Sequence, residues 1–256
     1  SIEQRGVLME AGVVVIGGGP AGIITALTAK SVYPQKSVRL IKEIGDGVIP
    51  CAIPYMMHTL SDPKQNRMGN MSLENAGVEI IVGKVISLDP ETHTLQLESG
   101  ERMSYERLVL ATGTEPVLPP IPGIGKDGVF SIRKSMSAMT ALRDRVQQAK
   151  KVAIIGGGFI GAEFADELCK NTDVKIHLIE MMPQLLFTAF DDAFCDQIVQ
   201  ILLKKGVTLH FGNRVASIDG KQKVESITLQ TGVKIPVDMV LVSIGAKPAT
   251  GLAQDA

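Results

Sequence analysis

Residues 12–30 read GVVVIGGGPAGIITALTAK, and residues 151–170 read KVAIIGGGFIGAEFADELCK. Each is an apolar run, a glycine turn and then an alanine-containing stretch of helix formers. That is the strand–turn–helix order of a dinucleotide-binding unit. Gly17, Gly19 and Gly22 fit G-x-G-x-x-G in the first copy, and Gly156, Gly158 and Gly161 fit it in the second. The first glycine permits a tight turn and the second lets backbone approach a pyrophosphate. The third lets helix and strand pack closely, and the helix N-terminus then faces the phosphate charge. A single triplet also fits an ordinary glycine turn between any strand and any helix. Two copies in the required context point to two dinucleotide sites.

The second copy also has an acidic partner. Residues 174–180, VKIHLIE, form a second strand ending in Glu180, placed to accept hydrogen bonds from a ribose 2′-OH and to repel a 2′-phosphate. The pattern favours NADH over NADPH there. In the first copy the strand SVRLIKE puts Lys42 where a carboxylate is expected, with Glu43 just after it. Glu43 is the candidate to reach back to the ribose.

Further apolar runs suit strands, among them 78–89, 93–98, 105–113, 207–212, 215–219, 224–230 and 237–245. YERLVLATG and VDMVLVSIG end in glycine at corresponding places, so the chain reads as an internal duplication. The stretch EPVLPPIPGIG (115–125), with four prolines, reads as a linker and sets a boundary near residue 118. The expected fold class is α/β, with two doubly wound, Rossmann-like domains: residues 1–118, residues 119–240, and a return to the first domain over 241–256.

Composition excludes several other roles. The 256 residues carry a formal net charge of −1 with no basic face, and there is no tryptophan, so nucleic acid is not an expected partner. No run of about 18 apolar residues free of charge or glycine suggests a membrane span. The opening SIEQRGVLMEAG lacks the pattern of a signal peptide. Three scattered cysteines suit a reducing cytoplasm better than a disulfide framework.

Cys51 stands apart from Cys169 and Cys195. It lies between Pro50 and Pro54 in VIPCAIPYMM, ahead of an apolar stretch that is expected to begin a helix. Pro54 is tolerated in a first turn. A thiol at a helix N-terminus has its thiolate stabilised by the dipole, which lowers its pKa from about 8.5. The bland alternative is a small buried cysteine filling a gap. It is accepted for Cys169 and Cys195, which sit in helical patterns, and set aside for Cys51. His58, His93, His177 and His210 share no spacing that builds a metal site.

In order, GGGPAG, PCAIPY, ATGTEP, GGGFIGAE and VSIGAKPAT resemble the FAD-dependent pyridine nucleotide–disulfide oxidoreductases. The lone cysteine followed by Ile-Pro-Tyr is most similar to the branch of coenzyme A disulfide reductases, NADH oxidases and NADH peroxidases. The resemblance implies FAD on the first fold, held by Gly17, Gly19, Pro20, Ala21, Gly22, Glu43, Ala111, Thr112 and Gly113. It implies NADH on the second, held by Gly156, Gly158, Phe159, Ile160, Gly161 and Glu180. Phe159 resembles the aromatic that covers the flavin until nicotinamide displaces it, with helix packing as the alternative. Glu163 is placed near the nicotinamide, or is simply a helix N-terminal carboxylate. Tyr55 is a wall of the sulfur site or a core residue.

Three departures qualify the match. Ala52 stands where the branch carries glycine. Pro20 replaces a histidine of peroxidase-type members, which argues against a peroxidase. Family members also continue beyond the AKPAT segment into a second FAD contact and a dimer-interface domain, so the complete protein is expected to be a homodimer. Residues 46, 48, 54 and 56 are Asp, Val, Pro and Met, so neither C-x4-C nor C-x-x-C exists. The expected enzyme passes a hydride from NADH to FAD and two electrons on to Cys51, which reduces a small disulfide, persulfide or polysulfide. Alternatives are an NADH oxidase reducing oxygen through a Cys51 sulfenic acid, and an electron-transfer reductase with Cys51 a bystander. A nucleotide-binding sensor or assembly module without turnover is the alternative of another class.

Overall fold

The computed structural model describes residues 9–256; the start of the opening segment, residues 1–8, lies outside the described residues. The chain forms two compact units. One gathers residues through 49, 67–115 and 248–256; the other gathers 50–66 and 116–247. The second unit thus includes the short excursion that carries Cys51.

In the first unit, β1 (Met9–Ile16), α1 (Pro20–Val32), β2 (Val38–Lys42), α2 (Met71–Asn75), β3 (Glu79–Val82), β4 (Val85–Asp89), β5 (Thr94–Leu97) and β6 (Arg102–Leu110) follow in order. The sheet order is β3-β2-β1-β6-β5-β4. Strands β1, β2, β3 and β6 run parallel, while β5 runs antiparallel to both β6 and β4. Alternate residues of β1 enter opposite cores, as a period of two requires. Val14 and Ile16 pack with Ile41, Leu95 and Met103, and Val15 packs with Ala26, Leu40 and Leu73. Burial on both faces explains why the strand reads as a continuous apolar run.

Short strands β7 (Thr114–Pro116) and, later, β16 (Ala246–Pro248) lie where the chain passes between units, and α6 (Gly251–Gln254) follows. The second unit contains β8 (Val129–Ser131), α3 (Met136–Gln148), β9 (Lys151–Ile155), α4 (Phe159–Leu168), β10 (Lys175–Ile179), α5 (Asp192–Lys204), β11 (Thr208–His210), β12 (Val215–Asp219), β13 (Ser226–Leu229), β14 (Lys234–Pro236) and β15 (Met239–Val242). Its five-stranded parallel sheet has the order β11-β10-β9-β15-β8, and β12, β13 and β14 form an antiparallel sheet. Helix starts are capped from the sequence: Ser135 and Asp191 accept the backbone N–H of Ala138 and Phe194.

The two units repeat one design. The order β3-β2-β1-β6 corresponds to β11-β10-β9-β15, which puts the ends of β1 and β9 at topological switch points. Both glycine turns sit there. Gly17 and Gly156 adopt φ of +123° and +108°, a region that disfavours other residues. A Cβ on Gly22 would lie 1.8 Å from the Gly17 carbonyl oxygen, and one on Gly161 would lie 1.9 Å from that of Gly156. Nothing approaches a Cβ on Gly19 or Gly158 within 4 Å. Each turn therefore closes on its helix at the third glycine and stays open at the second.

This contrast predicts the outcome of two substitutions. Gly22→Ala forces backbone apart and is expected to lower stability by about 1–3 kcal/mol. Gly19→Ala is expected to stay within about 0.5 kcal/mol of the parent. Urea denaturation of both variants checks the difference.

Candidate dinucleotide and thiol sites

In the first unit Gly19 is the N-cap of α1, Pro20 and Ala21 begin the helix, and no acidic residue occupies the first turn. Proline suits this position because its missing N–H has no intrahelical partner. Ala111 closes over the turn: its N–H donates to the Ile16 carbonyl at 2.8 Å, and its own oxygen would lie 2.0 Å from a Cβ on Gly17. Thr112 Oγ1 donates to the Ala249 carbonyl at 2.7 Å, and the Ala249 N–H donates to Gly113 at 2.9 Å. The Ala111–Thr112–Gly113 turn is thus pinned between the glycine turn and the returning segment.

Strand β2 ends at Lys42, and Glu43 is exposed just beyond it. The turn geometry identifies which residue corresponds to Glu180. Gly17 N–H donates to Ile41, and Gly156 N–H donates to Ile179, so Lys42 and Glu180 are the equivalent next residues. Lys42 is buried, and its Nζ donates to the Gly45 carbonyl and to Asn70 Oδ1. Burial lowers its pKa, against the opposing pull of Glu74 and Asp46.

In the second unit Glu180 is fixed by backbone. Its Oε2 accepts the Gly157 N–H at 2.6 Å and its Oε1 accepts the Met182 N–H at 2.7 Å. The carboxylate is bound to the glycine turn itself, and each oxygen keeps a second lone pair as an acceptor. This contact with Gly157 has no signature in the sequence. Gly158 caps α4, and Phe159 and Ile160 begin it, with Phe159 56% exposed. The Phe159 ring meets Phe190 edge to face at 5.6 Å, and Phe190 packs on Phe194 at 4.3 Å. Glu163, one turn on, opens to the surface, yet desolvation raises its carboxyl pKa.

Cys51 does not begin an α-helix. Pro50–Ala52 and Pro54–Met57 form two short 3-10 turns, closed by Ile53 N–H to Pro50 and Met56 N–H to Ile53. Pro54 has no N–H to bond back to Pro50, so the pattern cannot propagate as an α-helix. The Cys51 thiol therefore does not stand at an α-helix N-terminus, contrary to the expectation from sequence. Cys51 and Tyr55 are exposed, while Ile53, Met56 and Met57 are buried. Cys169 is half-buried at the end of α4 and Cys195 is buried in α5, and in both burial raises the thiol pKa.

Two features were invisible in sequence. The carboxylate of Glu167 is buried in α4 and holds Thr59. His177 and His210, 33 residues apart, meet because β10 and β11 pair in parallel; Nδ1 and Nε2 are 3.1 Å apart and the rings stack. Among the described residues no three His, Cys, Asp or Glu side chains form a metal-binding group, and no helix is long and apolar enough to cross a membrane.

These features define a class before they define a family: two doubly wound dinucleotide-binding units in one chain, with an exposed thiol on a segment of the second. The profile of the pyridine nucleotide-disulphide oxidoreductases matches residues 11–256, and the chain belongs to that family. It is 33% identical to an NADH oxidase of Methanocaldococcus jannaschii, over 95% of this chain and 56% of that protein. It is 31% identical to an NAD(P)H coenzyme A polysulfide/persulfide reductase of Pyrococcus horikoshii, over 96% of this chain and 56% of that protein. The structure of a water-forming NADH oxidase from Lactobacillus brevis bound to NADH aligns with TM-score 0.85 at 27% identity, covering 96% of this chain and 56% of that one. The chain spans about half the length of these relatives.

The histidine pair makes stability depend on pH. Burial lowers the pKa of His177, with His210, Lys151 and Lys175 adding to the effect, and burial lowers that of His210. A depressed folded-state value favours the neutral rings, so this stability is present above about pH 6.5 and is lost as pH falls through the folded values. Melting temperature is expected to decline from pH 7 to pH 5, and His210→Gln is expected to flatten the decline.

Proposed function

We propose that the complete protein is a flavoprotein oxidoreductase that uses NADH to reduce a small disulfide, persulfide or polysulfide through Cys51. The observation that carries this reading is an exposed thiol on a segment packed against α4, the helix that opens at the second glycine turn. The relatives named above, one an NADH oxidase and one a polysulfide/persulfide reductase, support the class of reaction.

The residues fit the two cofactors in different ways. The open cradle at Gly19, the α1 N-terminus and the pinned Ala111–Gly113 turn suit the pyrophosphate of FAD. The Gly158 cradle with the fixed carboxylate of Glu180 suits the phosphates and ribose of NADH, and a 2′-phosphate would meet that carboxylate unfavourably. When bound, FAD would accept a hydride from NADH and return two electrons to oxidised sulfur. Cys51 supplies the protein sulfur: its thiolate attacks one sulfur of the substrate disulfide, a mixed disulfide forms, and the other sulfur leaves as a thiolate. Two electrons from NADH then cleave the mixed disulfide and restore Cys51. Glu163, desolvated on α4, holds a proton more readily than a free carboxylate and lies one turn from Phe159.

The name of the M. jannaschii relative favours one alternative, oxygen reduction through a Cys51 sulfenic acid. Rapid NADH consumption in air without added disulfide would select it. The cytoplasm and a homodimeric assembly complete the proposal; the first suits three free cysteines.

Anaerobic NADH titration of the complete protein is expected to generate a long-wavelength absorbance that Cys51→Ser lacks. Identical bleaching of both proteins would remove Cys51 from the electron path. Glu180→Ala removes an acceptor for ribose and the brace on Gly157, and is expected to weaken NADH about tenfold or more by calorimetry. NADPH should lose less, so that the preference between the two narrows.

A further inference from the structure

Residues 50–66 leave the chain after the first unit's β2 and rejoin that unit at Arg67, yet they pack on helices α3 and α4 of the second unit. The apolar part of the attachment is Ile53, Met56 and Met57. The polar part is a closed set of hydrogen bonds centred on Glu167, a carboxylate only 2% exposed. Thr59 N–H donates to Glu167 Oε2 at 3.1 Å, and Thr59 Oγ1 donates to Oε1 at 3.0 Å. Lys170 Nζ donates to Thr59 Oγ1 at 2.7 Å and pairs with Glu167. Arg143, from α3, donates to the Leu60 and Ser61 carbonyls at 2.8 and 3.1 Å.

A buried carboxylate is costly unless its partners are in place, so removing any one of them destabilises the arrangement. Nothing in the glycine turn requires an acid at this point of α4. The helix starts at the nucleotide turn with Phe159 and ends at Leu168. At about 1.5 Å per residue, Glu167 lies roughly 12 Å along the axis from that turn. One rigid element therefore has a nucleotide cradle at its head and the cysteine segment fastened near its tail.

We infer that Glu167 is a positioning residue for Cys51: through Thr59 it fixes the 50–66 segment to α4, so that a ligand seated on the second glycine turn alters the reactivity of Cys51. The inference rests on the reading of that turn as a nucleotide site. By linkage, any ligand that orders α4 biases the segment, and the segment biases the ligand equally. The Cys169 and Cys195 thiols are not part of the connection.

The test uses ADP-ribose, which has the pyrophosphate and both riboses but no nicotinamide to shield the thiol or to reduce flavin. Alkylation of Cys51 by iodoacetamide is followed by peptide mass spectrometry in the complete protein, with and without saturating ADP-ribose, while calorimetry records binding. In the parent the ligand is expected to change the Cys51 rate at least threefold. In Thr59→Val and Glu167→Gln the ratio is expected to fall below about 1.5, with the conservative Thr59→Ser restoring it. Thr59 is exposed, so its variants provide the test even if Glu167→Gln does not fold. Binding that leaves Cys51 unaffected in the parent, or an undiminished ratio in Thr59→Val, overturns the inference alone. Failure of ADP-ribose to bind overturns the nucleotide reading and the inference with it.

Discussion

The approach of α1 to its own turn at Gly22, and of α4 to its turn at Gly161, is the constraint on which both units depend. In each case the helix backbone comes so near the first glycine's carbonyl that no side chain fits between them. This closeness sends the chain back along its sheet after a three-residue turn and aims the helix N-terminus across the end of the central strand. The neighbouring strand must then end on that turn as well, as Ala111 does beside Gly17 and Ser243 does beside Gly156. Open space is what remains at the second glycine.

The second unit includes a segment that the chain supplies between strands of the first. The proline-bounded turns of 50–57 have too few internal hydrogen bonds to be a stable element alone. Their order comes from burying Ile53, Met56 and Met57 against α3 and α4, and from a carboxylate that would be unfavourable in a core without Thr59 and Lys170. An exposed thiol on such a segment is held in place by a neighbour's helices rather than by its own backbone.

What could be read from the sequence was what is local. The glycine turns, the strands before them and Glu180 at the end of β10 each depend on residues a short distance apart. Lys42 was legible as a departure, but only the paired hydrogen bonds of Gly17 and Gly156 establish that it, rather than Glu43, is the counterpart of Glu180. The helix expected after Cys51 failed because Pro54, with no N–H to offer the Pro50 carbonyl, splits the stretch into two 3-10 turns and opens the second of them. The docking of 50–66 and the His177–His210 contact were illegible for another reason. Both depend on which elements become neighbours across the sheet or across its helices, and no periodicity in either partner encodes the other.

Lys42 and Glu180 carry one last consequence. Duplicated halves begin with the same cradle and hence the same affinity, and a chain with two identical sites would be filled by whichever ligand is more abundant. A buried ammonium at one position and a clamped carboxylate at its equivalent give the halves opposite electrostatic addresses while the backbone stays shared. Two copies of one backbone design thus differ in charge at a single equivalent side chain.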